Sequence, residues 1–332
     1  MGGRLKDLSY AEVKKQSQAV FGQFGRDRWI PFAKENVKHP NKRDCDELRG
    51  SGAGKTLVSV AMGASLEGQV ETLKKYRDRC EIVTCDKGFA ALMSNGVKPD
   101  YVMLCDCNIV WQKWGPTEAD TDGVKLIATP YANLAWTRKW RGPIYFYANK
   151  DAINSQEIFL EIMGPGTRTI PASSNVSNAQ FVFFTGMDEW SRDVFGGYEK
   201  ILLVGYDYSW RPDGNYYAWS DPKPKRYYMN HRTLQDMNGD LVYSSENLIF
   251  SARWMANYLR AYSFLNVVNC SGRGILDQAK HGDLEKELTN LDVSQSRAVK
   301  AALDNVKATA TAAQLAQRSM TMAREAYLYG SR

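Results

Sequence analysis

TLVSVAMGASLEGQVETLKKYRDRCEIVTCDKGFAALMSNGVKPDYVMLCD, running from Thr56 to Asp106, decides the fold. Three short apolar runs, TLVSVAM, CEIVTCD and YVMLCD, alternate with two segments of helical period. That alternation predicts strands joined by crossover helices. The expected class is α/β and Rossmann-like, a mostly parallel sheet with helices on both faces. The runs lead to a small or acidic residue, Gly63, Asp86 or Asp106. Ligands of an open parallel sheet bind at the carboxyl ends of its strands. Gly63, Ser65, Asp86 and Asp106 are therefore expected along one edge of a nucleotide site.

Upstream, Ser9 to Val37 carries apolar residues at helical spacing, and the polar, glycine-rich stretch Lys38 to Gly54 reads as a loop. RGSGAGKT, Arg49 to Thr56, imitates a phosphate-binding P-loop. The motif needs its first glycine where Arg49 stands, and it must follow a strand and open a helix. Here a strand follows Thr56 instead, so the segment reads as a solvated approach to the first strand. The better phosphate candidate is Gly63-Ala64-Ser65, where glycine allows close backbone approach. Ser65 would cap a helix from Leu66, whose free N–H groups would face an anion.

Asp86 lies about twenty residues beyond that loop, where a dinucleotide fold carries its ribose-binding acid. The G-x-G-x-x-G fingerprint is missing, which disfavours an NAD enzyme. Asp106 and Asn108 close the next strand, one carboxylate and one amide. Magnesium takes one or two carboxylates together with phosphates, so Asp106 is the residue to hold it if any does. Asn108 can bond a phosphate or sugar. Further strands are expected over VKLIAT (Val124 to Thr129) and PIYFYA, the latter ending at Asn149 on the same nucleotide edge. PASSNVSNAQ (Pro171 to Gln180) leads small polar residues into an apolar helix, another opening suited to an anion. Ser174, Asn175, Ser177 and Asn178 join the candidate nucleotide site on that ground. Asp207 ends the strand from Ile201, either as a site residue or as a cap on the following turn.

Tyr208 to Ser245 is dense in Tyr, Trp and cations, among them Trp210, Tyr216, Tyr217, Lys223, Lys225 and Arg226. It suits a lid that meets an acceptor, or a hairpin packed by its own tyrosines. His231 lies within it, either structural or a general base titrating near neutrality. A helix over Asn247 to Tyr262 and a last strand ending at Cys270-Ser271-Gly272 follow. Beyond Asp283 the composition turns to Ala, Gln, Lys and Glu with helical spacing, an extension for docking or for homo-oligomer contacts.

Four segments resemble one family: LVSVAMGASL, VTCDKGFAALMSNGVKPDYVMLCD, KILLVGYDYSW and NVVNCSGRG. It is the family of the archaeal 6-hydroxymethylpterin pyrophosphokinase MptE, which includes motility accessory factors regarded as flagellin glycosyltransferases. The resemblance spans roughly Gly54 to Leu276 and implies a nucleotide-binding transferase. The serine-rich helix opening and the I-x-L-x-G-x-D strand also resemble the bacterial sialyltransferases. That likeness implies that His231 is the base. The resulting division is a lead-in over 1–53, a transferase domain over 54–282 with a lid over 208–245, and a helical extension over 283–332.

With 332 residues and 44% hydrophobic composition, the chain can bury a substantial core. A net charge of +6 permits an anionic partner such as nucleic acid without demanding one. No apolar run is long enough to span a bilayer and no apolar signal core follows Met1, so a cytoplasmic protein without membrane insertion is expected. The six cysteines fall mostly in apolar strands and read as reduced core residues. Cys105 and Cys107 lack the roughly two- to four-residue gap of a zinc pair.

Three functions compete. A glycosyltransferase would hold a nucleotide-sugar donor across Gly63, Ser65, Asp86, Asn108 and the 174–178 segment. It would use His231 as base and the aromatic segment for a hydroxyl acceptor on protein, glycan or a modified DNA base. Asp106 and Asp207 complete its candidate catalytic set. A pyrophosphokinase would need ATP, Mg²⁺ and the convergence of Asp86, Asp106 and Asp207. A non-catalytic nucleotide- or nucleic-acid-binding module would bind in a salt-dependent way without turnover. The glycosyltransferase is preferred, because the second metal carboxylate is missing beside Asp106 and a base is at hand.

Overall fold

The computed structural model describes residues 26–149, 155–171, 175–186, 194–212, 214–220 and 231–289. The first strands are β1 (Lys42–Arg43), β2 (Thr56–Val60), β3 (Glu81–Cys85), β4 (Tyr101–Leu104), β5 (Lys125–Ala128) and β6 (Ile144–Asn149). They are followed by β7 (Arg168–Ile170), β8 (Lys200–Val204), β9 (Arg232–Gln235), β10 (Leu241–Ser244), β11 (Val267–Asn269) and β12 (Lys280–His281). Ten of these form one sheet in the order β1-β6-β5-β4-β3-β2-β8-β11-β12, with β7 also on β6. Every pairing within it is parallel. The chain runs outward from β2 through β3, β4, β5 and β6, then returns to lay β8 on the other side of β2. The order therefore reverses at β2/β8, where an open α/β sheet opens a ligand crevice.

Side chains alternate between the two faces of a strand. Leu57, Val83, Met103, Ile127 and Leu203 pack under helices Val176–Thr185 and Glu246–Ala261. Val58, Ile82, Leu202 and Val268 pack on the opposite face with helices Val70–Lys75 and Leu284–Thr289. Val102, Leu126 and Phe146 continue that face against Trp136 of helix Leu134–Lys139. With both faces covered, β2 and β4 are buried along their whole length. This explains why their sequences read as continuous apolar runs.

Residues 1–53 were expected as a lead-in outside the sheet, and the described part of them departs from that. β1 pairs along β6, and helix Arg26–Asn36 buries Trp29 and Ala33 beside Phe159. The Asn36 amide fastens that helix by donating to the carbonyls of Pro130 and Ala132 at 2.7 and 3.0 Å. At the other end, helix Leu284–Thr289 belongs to the body, with Lys200 paired to Glu287 at 2.7 Å. The chain divides after Leu291, and the expected helical extension beyond it lies outside the described residues.

The false P-loop lies at the amino ends of the strands. Gly50 and Gly54 take left-handed φ of 59° and 72° in its turns, and Lys55 pairs with Glu81 at 2.5 Å. The aromatic segment contains an antiparallel hairpin, β9 with β10, and Trp210 and Tyr243 exchange backbone hydrogen bonds of 2.9 and 2.8 Å. Lys223, Lys225 and Arg226 of the expected lid lie outside the described residues. No described helix is long and apolar enough to cross a membrane.

Candidate active site

A cavity of about 440 Å³ opens at the carboxyl ends of the strands, a size that suits a small-molecule ligand. β2 leads into it with Met62 and Gly63, β3 with Asp86, β4 with Asp106, and β8 with Gly205 and Tyr206. The start of helix Val176–Thr185 adds Asn175 and Ser177, and β6 adds Asn149. Much of the remaining wall is aromatic. Trp29 stacks on Tyr131 with ring centres 4.1 Å apart, and Tyr147, Tyr208, Tyr216 and Tyr217 also face the space.

Parallel pairing of β3 with β4 brings the Asp86 and Asp106 strand ends side by side. Burial pushes the Asp86 carboxyl up to about 6, against the neighbouring Lys87 charge and N–H, and the Asp106 charge raises it further. Asp106 turns Oδ1 to the Asn108 N–H at 2.7 Å. Asn175 caps its helix by accepting the Asn178 N–H at 2.8 Å. Beneath the floor, the Tyr206 hydroxyl lies 2.7 Å from Ser59 Oγ and donates to the Ser177 carbonyl at 2.7 Å. The buried Gln180 amide donates to Ser59 Oγ and the Val60 carbonyl, both at 3.0 Å. Tyr208 takes a left-handed φ of 51°, a conformation that a bulky residue adopts only when its surroundings hold it. Here the Tyr208 hydroxyl donates to Asn178 Oδ1 at 2.6 Å, and the Tyr208 carbonyl accepts from Ser244 at 2.7 Å.

Residues 32–213 match the family described as 6-hydroxymethylpterin diphosphokinase MptE-like. The chain belongs to that family. Among solved structures it resembles the MAf glycosyltransferase from Magnetospirillum magneticum AMB-1, with a TM-score of 0.56 and 16% identity. That likeness covers 81% of this chain but only 41% of the other, and it shows a shared fold. No curated protein matches.

In this MptE-like chain, the fold brings six of the sequence-predicted residues onto one wall: Gly63, Asp86, Asp106, Asn149, Asn175 and Ser177. Ser65, Asn108, Asn178, Asp207 and His231 are not among the described lining residues, and Ser174 lies outside the described residues. Asp207 is 1% exposed and locked: it accepts the Ser65 N–H at 2.9 Å, the Ser65 hydroxyl, and an ion pair from Arg273 at 3.4 Å. Within the loop expected to meet a phosphate, the Ser65 N–H thus already meets a carboxylate of the protein. Ser65 does not cap a helix from Leu66 either. Residues Ala64–Gly68 form a 3₁₀ turn after Gly63, and the α-helix begins at Val70. Gly63 is explained by this lock, since a Cβ there would lie 2.5 Å from the Gly205 carbonyl oxygen and 2.6 Å from Asp207 Cγ.

Asn178 is buried and ties two helices, its amide donating to the Ser251 carbonyl at 3.0 Å. His231 packs edge-on to Trp210 with ring centres 4.7 Å apart. Asp207 does not join Asp86 and Asp106, so the carboxylate cluster has two members on the wall. Among the described residues, no group of three or more His, Cys, Asp or Glu is arranged to hold a metal. Sequence reasoning overlooked Lys87, although a cation directly after the strand-end Asp86 was a readable signal. It also overlooked Trp29 and Tyr131, which only tertiary packing brings to the cavity.

Proposed function

We infer that this chain is a transferase that takes a nucleotide-activated sugar and passes the sugar to a hydroxyl-bearing acceptor. The observation that carries this reading is the wall itself: two carboxylates, amide and hydroxyl groups and an aromatic lining around one cavity at the β2/β8 switch point. Aromatic faces suit a base or a sugar ring, and a few polar groups set its orientation. Asp86, raised by burial to about 6, is better suited to act as general base than His231, which lies off the described wall. It would take the proton of the acceptor hydroxyl as that oxygen attacks the anomeric carbon. The bond from sugar to nucleotide breaks, and its electron pair leaves on the phosphate oxygen. Proteins, glycans and hydroxylated DNA bases are all acceptors of this kind.

A second reading, diphosphate transfer from ATP, is favoured by one feature. Asp86 and Asp106 end adjacent strands and supply two hard oxygen donors, which fits a magnesium ion shared with substrate phosphates. Such an ion would neutralise charge on the transferred group. In this reading Asp86 serves as a ligand and not as a base.

A thermal-shift screen of UDP-, GDP- and CMP-sugars and of ATP, each with and without Mg²⁺, separates the two. A binder at about a hundredfold over its Kd should raise Tm by roughly 5 °C. Stabilisation by a nucleotide sugar, followed by release of its nucleotide on adding an acceptor, supports sugar transfer. Stabilisation by ATP only with Mg²⁺, with AMP as product, reverses the order of the readings.

A further inference from the structure

Lys87 faces the cavity beside Asp86 and takes no part in the proton transfer from the acceptor. Its ammonium lies 4.7 Å from the ring centre of Tyr217 and 5.2 Å from that of Trp114. It gives the Tyr217 hydroxyl a hydrogen bond of 3.1 Å. An ammonium has three donors, and among the described residues no carboxylate pairs with this one. Asp86, next to it in sequence, turns Oδ1 to the Lys87 backbone N–H at 2.7 Å instead. The other charged groups on the described wall are Asp86 and Asp106, so Lys87 is its only cation.

These charges sort an incoming phosphate. The carboxylate pair repels it, and the ammonium attracts it more strongly between two rings than it would in open water. Tyr217 is a neutral partner, and a charge-assisted bond to an anionic oxygen is roughly twice as strong. The segment carrying Tyr217 is fastened independently, by Ala218 N–H to the Met62 carbonyl at 3.0 Å and Trp219 N–H to Glu67 at 2.6 Å. The phenol can therefore give up the ammonium without the segment losing its other ties. Resting on the reading that the cavity takes a phosphorylated donor, we propose that Lys87 is its phosphate-binding residue and that an anionic oxygen replaces Tyr217 on its ammonium.

Calorimetric titration tests this with UDP, GDP, CDP and ADP, their parent nucleosides and inorganic pyrophosphate. Lys87→Met should weaken the best diphosphate roughly 10- to 100-fold, while the parent nucleoside changes less than about twofold. Lys87→Arg should keep most of the affinity. Tyr217→Phe, which removes the competing hydroxyl, should bind the diphosphate at least as tightly as the wild type. Should Lys87→Met fail to fold, the Arg and Phe variants still decide. Unchanged diphosphate affinity in Lys87→Met, an equal loss for diphosphate and nucleoside, or a clear loss in Tyr217→Phe would each overturn the assignment. A wild type that binds none of the phosphorylated probes removes the donor reading itself, and Lys87 with it.

Discussion

Asp207 receives both the backbone N–H and the hydroxyl of Ser65, so a carboxylate of β8's loop fills the turn that follows β2. Gly63 and Gly205, which flank the contact, line the cavity together with Asp86, Asp106 and Asn149 at the ends of β3, β4 and β6. Asp207→Ala would strand two Ser65 donors and the Arg273 guanidinium. Its expected cost is roughly 2–4 kcal/mol, softened because Arg273 is partly exposed. Urea unfolding measures it, and a change below about 0.5 kcal/mol would contradict a locking role.

Gly63→Ala should act through the same lock. The added methyl meets backbone at Gly205 and the Asp207 carboxyl, neither of which can swing aside cheaply. A loss of about 1–3 kcal/mol is expected, as for overpacking in a tight core. Combined with Asp207→Ala the two losses should be less than additive, because both break one contact.

Burial raises both Asp86 and Asp207 to about 6, above the ordinary 3.8. A carboxyl whose folded pKa is raised contributes stability that is complete below about pH 4 and is lost as pH rises through 6. Unfolding free energy should therefore decline between about pH 4 and pH 7. Asp86→Asn should remove part of that slope and stabilise the protein at pH 8 by roughly 2–3 kcal/mol. The same variant should lose transfer at least about 100-fold. Wild-type activity should rise through pH 6 as Asp86 ionises, and a flat profile there would exclude it as the base.

Lys55→Ala tests the false P-loop. Lys55 pairs with Glu81 at the amino ends of the strands, away from the cavity. Nucleotide affinity should be unchanged, with a stability loss of about 1 kcal/mol from the partly buried pair. A tenfold loss of affinity would restore the P-loop reading.

His231→Ala should change turnover by less than about threefold, under roughly 1 kcal/mol of barrier. It should cost some stability through the lost packing on Trp210. Abolished transfer with retained nucleotide binding would return His231 to the mechanism.

The sheet was readable because its strands are buried on both faces, so their apolar runs stand out against helical segments. The strand-end rule then located Gly63, Asp86, Asp106 and Asn149 on one wall from local sequence alone. What escaped was nonlocal. Nothing around Ser65 signals that a carboxylate 142 residues later will take its N–H. Nothing around Trp29 signals that it will stack on Tyr131. β1 was missed because two residues are too few to show a period, and their pairing depends on β6.

The reversal of strand order at β2 also bears on how the chain can be divided. The family match ends at residue 213, soon after β8. A fragment cut to 32–213 would lose Trp29 and Leu248 from the cavity, and β11 and β12 from beside β8. Its β8, now unpaired along one side and apolar throughout its centre, would offer a row of open N–H and C=O groups to any second chain. Such a fragment would retain the family's signature, and it would be expected to associate with itself before it bound a ligand.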